Sequence, residues 1–209
     1  MGTTTRDRIL DEALELFAEN GYKGTNLRDL AARLGLSKSA LYKHFSGKED
    51  IWNSMLDRLE AYYSEHFRSE MPENGRFRTG RELYEATMNM IRFTVSDRRI
   101  VLTRKLLMTE QFRDERVRNL ATAHFLEGTL RYFTAAFKKM KKDGIFERSR
   151  PEQLALMYTA PITALIHLCD REPEMTEAAI ERADDFIQSF IIENAGAHQF
   201  FCPVSPEDE

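Results

Sequence analysis

An all-α fold is the architecture this sequence predicts, on three observations. Apolar residues recur with a 3.6-residue period along almost the whole chain, and the two-residue alternation of strands is nearly absent. The breaks between periodic stretches fall on glycine, proline or helix-capping residues. About nine helices are expected, arranged as an N-terminal three-helix unit containing a helix-turn-helix and a C-terminal helical bundle.

The first helix is expected over residues 5–20, with Ile9, Leu10, Ala13, Leu14 and Phe17 on one stripe and Gly21 as its stop. The second follows Thr25-Asn26 and places Leu27, Leu30, Ala31 and Leu34 at i, i+3, i+4 and i+7. Asn26 with Asp29 resembles a capping box. Gly35-Leu36 breaks the pattern, and Ser37 caps a third helix over 38–45. Ser46-Gly47-Lys48-Glu49 reads as a capping box that opens a long fourth helix, carrying Ile51, Met55 and Leu59 toward Phe67. A polar segment with Pro and Gly, 71–80, separates a domain of residues 3–63, its helix-turn-helix at 26–45, from one of residues 71–195. In the second domain helices are expected over 82–96, 100–112, 115–142, 152–170 and 176–194, with Asp143-Gly144, Pro151 and Glu172-Pro173 at the breaks. Residues 196–209 read as a tail.

With 209 residues, 42% of them hydrophobic and 31% charged, the chain can bury a core and has the profile of a soluble globular protein. Cys169 and Cys202 make no disulfide framework, which points to a reduced, cytoplasmic chain. Asp11, Glu12, Glu15 and Glu19 interrupt the first apolar residues, so no signal peptide is expected. Arg6 stands where a myristoylation motif wants Ser or Thr. The longest apolar run, 154–169, is short for a bilayer and holds Pro161 and His167, so no membrane partner is expected.

The net charge of -4 is unevenly spread. Residues 22–48 hold Lys23, Arg28, Arg33, Lys38, Lys43 and Lys48 against Asp29 alone, which makes them +5 and the remainder -9. That is the footprint of a nucleic-acid-reading module on an acidic body, although charge runs also make ordinary solvated faces.

Read at 100° per residue, the third helix turns Leu41 and Phe45 toward the core. Ser39 and Lys43, and less squarely Ala40 and His44, fall on the opposite face, with Lys38 and Tyr42 on the flanks. Such a face admits close approach to a major groove and offers hydroxyl, ammonium and imidazole groups to base edges or phosphates. The N-termini at Asn26, Ser37 and Ser46 add backbone N–H groups for phosphates.

The run Ile9-Leu10-Asp11-Glu12-Ala13, Leu16-Phe17-Ala18-Glu19-Asn20-Gly21-Tyr22, Thr25, Leu27-Arg28-Asp29-Leu30-Ala31 and Gly35 through Glu49 resembles the tetracycline-repressor (TetR) family without a gap. The resemblance covers residues 3 to 63. It implies a double-stranded DNA partner with a palindromic operator, read by a homodimer. It implies that Thr25, Asn26 and Arg28 contact phosphate or a base edge and that Ser37 and Lys38 sit at the backbone. Ser39, Ala40, Tyr42, Lys43 and His44 would then enter the groove, Tyr42 and His44 as phosphate contacts as often as base contacts, and Lys48 would hold a phosphate. For the second domain it implies helices alone, with the last two long ones pairing across a two-fold axis and a cavity for a small hydrophobic ligand.

The residues of that second domain allow the same reading. Leu126, Leu130, Phe133, Phe137 and Met140 follow a heptad-like spacing with Phe125, Thr129, Tyr132 and Ala136 beside them, so this helix needs cover on more than one side. The 154–169 stretch is apolar all round, and Ile180, Ala183, Ile187, Phe190 and Ile191 form one stripe of the last helix, which suits a dimer interface. Met88, Met90, Phe93, Phe112, His124, Phe125, Tyr132, Tyr158 and His167 are the candidate pocket residues; taken singly, each also reads as core. His167 and Cys169 are two apart and point to different sides of a helix, so no metal site or cofactor is expected. No phosphate loop, nucleophile elbow or paired-cysteine motif points to an enzyme. Three readings remain: a repressor released by a ligand, a DNA-binding relative without an inducer such as a nucleoid or division factor, and an enzyme with a vestigial helix-turn-helix, which the +5 segment disfavours.

Overall fold

The computed structural model describes residues 4–72, 75–146 and 150–195, the side chains of 66 and 68–70 excepted. The tail expected over 196–209, Cys202 with it, lies outside the described residues. The chain is all-α, and among the described residues no strand is formed. No described helix is long and apolar enough to cross a membrane.

The helices are α1 (Thr5–Gly24), α2 (Leu27–Arg33), α3 (Lys38–Tyr42), α4 (Lys48–Glu70), α5 (Gly80–Ser96), α6 (Arg98–Glu110), α7 (Glu115–Thr122), α8 (Gly128–Lys142), α9 (Pro151–Arg171) and α10 (Thr176–Ala195). A π-helical turn, Ala123–Glu127, joins α7 to α8, and a short 3-10 turn, Pro173–Met175, joins α9 to α10. They form two compact units. One holds Met1–His66 and Asp97–Ala121, the other Phe67–Ser96 and Thr122–Glu209. Compactness thus groups α6 with the first unit, although a stretch of the other unit comes between them in sequence.

In the first unit, α1 opens with a capping box in which Thr4 accepts from the Asp7 N–H and Asp7 reaches back to the Thr4 N–H. Gly21 breaks the helix with φ 70 and ψ 171, and a further turn follows to Gly24. Ile9, Ala13, Leu14 and Phe17 of α1, Leu30 of α2, Leu41 of α3 and Ile51, Met55 and Leu56 of α4 are buried. Each of these side chains larger than alanine contributes about 1.5–3 kcal/mol by leaving water. Phe17, Tyr22 and Trp52 pack ring to ring, Trp52 at 4.9 Å from each of the other two. The Trp52 indole N–H donates to Asp114 Oδ2 at 3.0 Å. Polar links join α6 to α1: Arg98 to Glu15 at 2.6 and 2.8 Å, and Arg99 to Asp11 at 3.1 Å. They are exposed or half-exposed, so each adds at most about 1 kcal/mol.

The capping box expected on Ser46 and Glu49 does not form. The Asp50 carboxylate instead accepts from both the Ser46 N–H (2.8 Å) and the Ser46 hydroxyl (3.1 Å). The second acid of the run reaches the turn, and the serine acts as donor rather than acceptor.

In the second unit, Leu83, Met88 and Ile91 of α5, Phe133, Phe137 and Met140 of α8, Leu154 and Tyr158 of α9, and Ala183, Ile187, Phe190 and Ile191 of α10 form one core. Tyr158 lies at its centre, 4.8 Å from Phe190 and 5.0 Å from Phe133, and donates its hydroxyl to Thr87 Oγ1 at 2.8 Å. A buried tyrosine needs that partner. Burial raises the Tyr158 phenol above its ordinary range.

One expected helix, 115–142, is interrupted. The π turn adds a residue to one turn and rotates everything before it by about 100° relative to α8. Leu126, expected on the core stripe of Phe133 and Met140, is consequently 52% exposed. Gly128 suits the turn, because a Cβ there would stand 2.5 Å from the Ala123 carbonyl oxygen.

Candidate nucleic-acid interface

The candidate interface is built on the turn between α2 and α3. Asn26 opens α2, its Oδ1 accepting from the N–H groups of Arg28 and Asp29 at 2.9 Å each. At the other end the Leu36 N–H returns to the Ala31 carbonyl (2.9 Å) and the Gly35 N–H to the Ala32 carbonyl (3.1 Å), the paired bonds of a Schellman motif. Its left-handed residue is Gly35, at φ 64. Ser37 then caps α3 by accepting from the Ala40 N–H at 3.1 Å. Glycine and serine therefore fix the angle at which α3 leaves α2.

On α3 the helical reading holds. Leu41 and Phe45 are buried, whereas Lys38, Ser39, Tyr42 and Lys43 are exposed and Ala40 and His44 half-buried. The helix itself ends at Tyr42 rather than Phe45. Its last turn tightens, with the Lys43 N–H on the Ala40 carbonyl and the His44 N–H on the Leu41 carbonyl. Lys38 Nζ stands 5.7 Å from the centre of the Tyr42 ring, so cation and ring share one flank. Ser37, Asn26 and Arg28 are exposed as well.

Thr25 departs from the expectation. It is only 3% exposed, and its hydroxyl donates to the carbonyls of Leu16 (3.1 Å) and Gly21 (2.9 Å), closing the C-terminus of α1. Lys48 is half-buried, its Nζ 4.5 Å from the centre of the Tyr22 ring. Burial pulls its ammonium pKa down, while Glu110 pushes it up. Arg33, counted in the basic segment, is held by Glu12 (3.2 Å) and Glu19 (2.6 Å), so its charge is matched within the unit. The exposed cations of this segment are Lys23, Arg28, Lys38 and Lys43 together with Arg33.

Sequence reasoning missed Arg6. Its guanidinium donates to the His44 carbonyl at 2.8 Å and to Ser54 Oγ at 3.0 Å, and lies 4.1 Å over the Phe45 ring. A partner 38 residues away leaves no periodic signal.

The nine candidate pocket residues do not gather. Met88 and Tyr158 are core, and Phe112 is 83% exposed in the first unit. Tyr132 is half-buried, donating its hydroxyl to the Pro72 carbonyl at 3.1 Å, and burial raises its pKa. Phe125 packs edge-on against His167 at 5.3 Å, and His167 Nδ1 lies 3.7 Å from Asp170. Met90, Phe93 and His124 are half-buried. A narrow apolar cleft in the second unit, about 180 Å³ of empty space without room for a water molecule, is lined by other residues, among them Ile91, Ile162, Leu165, Cys169 and Ile180. Among the described residues no cluster of histidine, cysteine and acidic groups suits a metal ion.

Residues 9–55 match the sequence profile of bacterial regulatory proteins, tetR family. The chain is 36% identical over 58 residues to the biofilm operon icaADBC HTH-type negative transcriptional regulator IcaR of Staphylococcus epidermidis, a match that covers 28% of this chain and 31% of that protein. The chain thus aligns with about a third of that relative's length. In fold it is similar to SmeT, the repressor of the Stenotrophomonas maltophilia multidrug efflux pump SmeDEF, with TM-score 0.67, 20% identity, and coverage of 97% of this chain and 95% of that one. A SmeT–triclosan complex matches with TM-score 0.64 and 22% identity over 90% of each chain.

Proposed function

We propose, on the premise that residues 9–55 are an N-terminal domain of the tetR family of bacterial regulatory proteins, that this chain is a sequence-specific DNA-binding transcriptional repressor of the cytoplasm. The observation that carries the reading is the outward face of α3. Ser39 and Lys43 stand in the open, with Lys38 and Tyr42 together on one flank, on a helix fixed from behind by buried Leu41 and Phe45. A negative regulator among its sequence relatives and a repressor among its structural ones support repression over activation. Lys43 and Ser39 set sequence preference, and Lys48 supplies affinity through a phosphate. Lys43→Ala is expected to cost roughly 1–3 kcal/mol and to relax one half-site position. Lys48→Ala is expected to weaken all duplexes alike and to lower the salt slope by about 1. Fluorescence-anisotropy titrations at several salt concentrations check both. Equal loss on every duplex from Lys43→Ala contradicts base reading.

The protein works as a homodimer on a palindromic operator. The support lies on α9, where Leu156 (52% exposed) and Met157 (60%) continue into exposed Ala160 and Ala164, four and eight residues beyond Leu156. Ile192 on α10 is 36% exposed as well. A stripe of this composition admits close approach of a second helix.

A small hydrophobic ligand releases the repressor, a reading supported by the triclosan complex of a structural neighbour and by the apolar cleft beside α5, α9 and α10. The cleft has no room even for a water molecule, whereas drug-sized ligand sites hold about 300–1,000 Å³, so binding has to open it. Helix α4 runs on past His66 into the second unit and is the covalent route by which such a change reaches α3. Coupling of about 1–3 kcal/mol suffices to switch a promoter. In a thermal-shift screen of hydrophobic compounds, stabilising hits are expected to lower operator affinity about 5–150-fold. Hits that all leave it unchanged identify a regulator without an inducer.

A further inference from the structure

We propose that Arg6 is a positioning residue that sets the pose of the recognition helix α3 for base reading; the proposal rests on the DNA-binding function given above. Three elements meet on its one guanidinium. Arg6 belongs to the first turn of α1. One terminal nitrogen donates to the carbonyl of His44, in the turn that ends α3, at 2.8 Å. The other donates to Ser54 Oγ on α4 at 3.0 Å, and the plane lies 4.1 Å over Phe45, the buried residue that anchors the end of α3.

The chain of contacts continues. Ser54 donates to Asp50 Oδ1 at 3.5 Å, and the other oxygen of Asp50 accepts the Ser46 N–H and hydroxyl. Residues 44 to 46, which lead from α3 into α4, are therefore tied at both ends, by Arg6 on the His44 carbonyl and by Asp50 on Ser46. The cation also faces the negative end of a short helix, where it is favoured. Asp50 is held below the ordinary carboxylate range chiefly by the Ser46 N–H, with Arg6 adding to the effect, so the carboxylate stays charged at neutral pH.

Only arginine fits this arrangement. Two divergent donors and a flat face are used together, and a lysine ammonium offers a point charge with neither the fork nor the plane. Without the fork, the His44 carbonyl loses a charge-assisted partner and the backbone carrying Lys43 and His44 loses its fixed direction. A different role is open to an exposed arginine at this place, that of a direct phosphate contact. The two roles differ in what lysine does and in the salt dependence.

The experiment compares wild type, Arg6→Lys, Arg6→Ala and Ser54→Ala on two probes, the duplex that wild type selects from a random pool and an unselected duplex. Affinity is read across a series of salt concentrations, motif selection is repeated for each variant, and a thermal melt reports folding. Arg6→Lys and Arg6→Ala are both expected to lose about tenfold on the selected duplex, the equivalent of one charge-assisted hydrogen bond. Both are expected to keep the wild-type salt slope and to relax the motif where the end of α3 reads. Ser54→Ala, which removes an acceptor and no charge, is expected to relax the same position.

A salt slope lowered by about 1 in Arg6→Ala and restored by lysine overturns the proposal, because that is the signature of a phosphate contact. An unrelaxed motif in Arg6→Lys and Ser54→Ala overturns it too, whatever the melt of Arg6→Ala shows. A wild-type protein that selects no motif contradicts the DNA-reading function itself, and is seen before any variant is compared.

Discussion

Replacing Leu156 by glutamate is expected to turn the proposed dimer into a monomer and to lower operator affinity by about 10²- to 10⁴-fold. Leu156 is half-exposed on α9, one turn before exposed Ala160 and two before exposed Ala164, and Met157 beside it is exposed further still. In a two-fold interface each substituted chain brings the same charge to the same patch, so two carboxylates meet and both lose water. The half-sites are then bound one at a time, and the advantage of tethering the second to the first disappears. Sedimentation and operator titration measure the two effects, and a melting curve close to wild type shows that the monomer is folded. A variant that stays dimeric moves the interface off this stripe. The choice of residue matters. Ile187 and Phe190 stand out in the sequence as interface candidates, but both are buried in the core of the second unit. A charge at either unfolds the protein and says nothing about assembly.

Gly21→Ala is expected to destabilise the first unit by about 3 kcal/mol, from backbone strain together with a collision. At φ 70 and ψ 171, Gly21 occupies backbone space that is essentially closed to other residues. A Cβ placed there stands 2.5 Å from Glu110 Oε1. That oxygen cannot move away cheaply, since Glu110 is only 3% exposed and accepts the Tyr22 N–H at 3.3 Å and an ion pair from Arg113 at 3.5 Å. The melting temperature is expected to fall by roughly 10 °C or more. Gly35→Ala is the control. Its φ of 64 is also positive, but a Cβ there meets nothing within 4 Å, so only the backbone cost of roughly 1–2 kcal/mol applies. Equal losses at the two glycines contradict the account of Gly21.

Much of this was legible in the sequence because it is local. The order of the helices follows from 3.6-residue periodicity, and the bend between α2 and α3 from a glycine and a serine two residues apart. The face of α3 follows from geometry alone, since two buried residues four apart fix where the other six of residues 38–45 point. What the sequence hid depends on distant partners or on phase. Thr25 reads as a helix-start residue exposed to DNA, yet its hydroxyl closes the preceding helix on Leu16 and Gly21. Arg6 belongs by position to α1 and by contact to the end of α3. The π turn at Ala123–Glu127 shifts the helical phase, which is why a heptad pattern carried back from Phe133 through Leu126 fails. The pocket residues were gathered by side-chain type, and type does not tell core residues such as Met88 and Tyr158, or exposed Phe112, from the lining of a cavity.

The central claim is that α3 reads DNA sequence for a two-fold protein. Repeated selection of wild-type protein against a pool of random duplexes, followed by sequencing, tests it most directly. The account predicts enrichment of an inverted repeat whose half-sites lie about one helical turn apart, roughly 34–36 Å centre to centre, or a multiple of that distance. A pool that stays unenriched while binding falls steeply with salt contradicts it, and shows a protein that holds phosphates without reading bases.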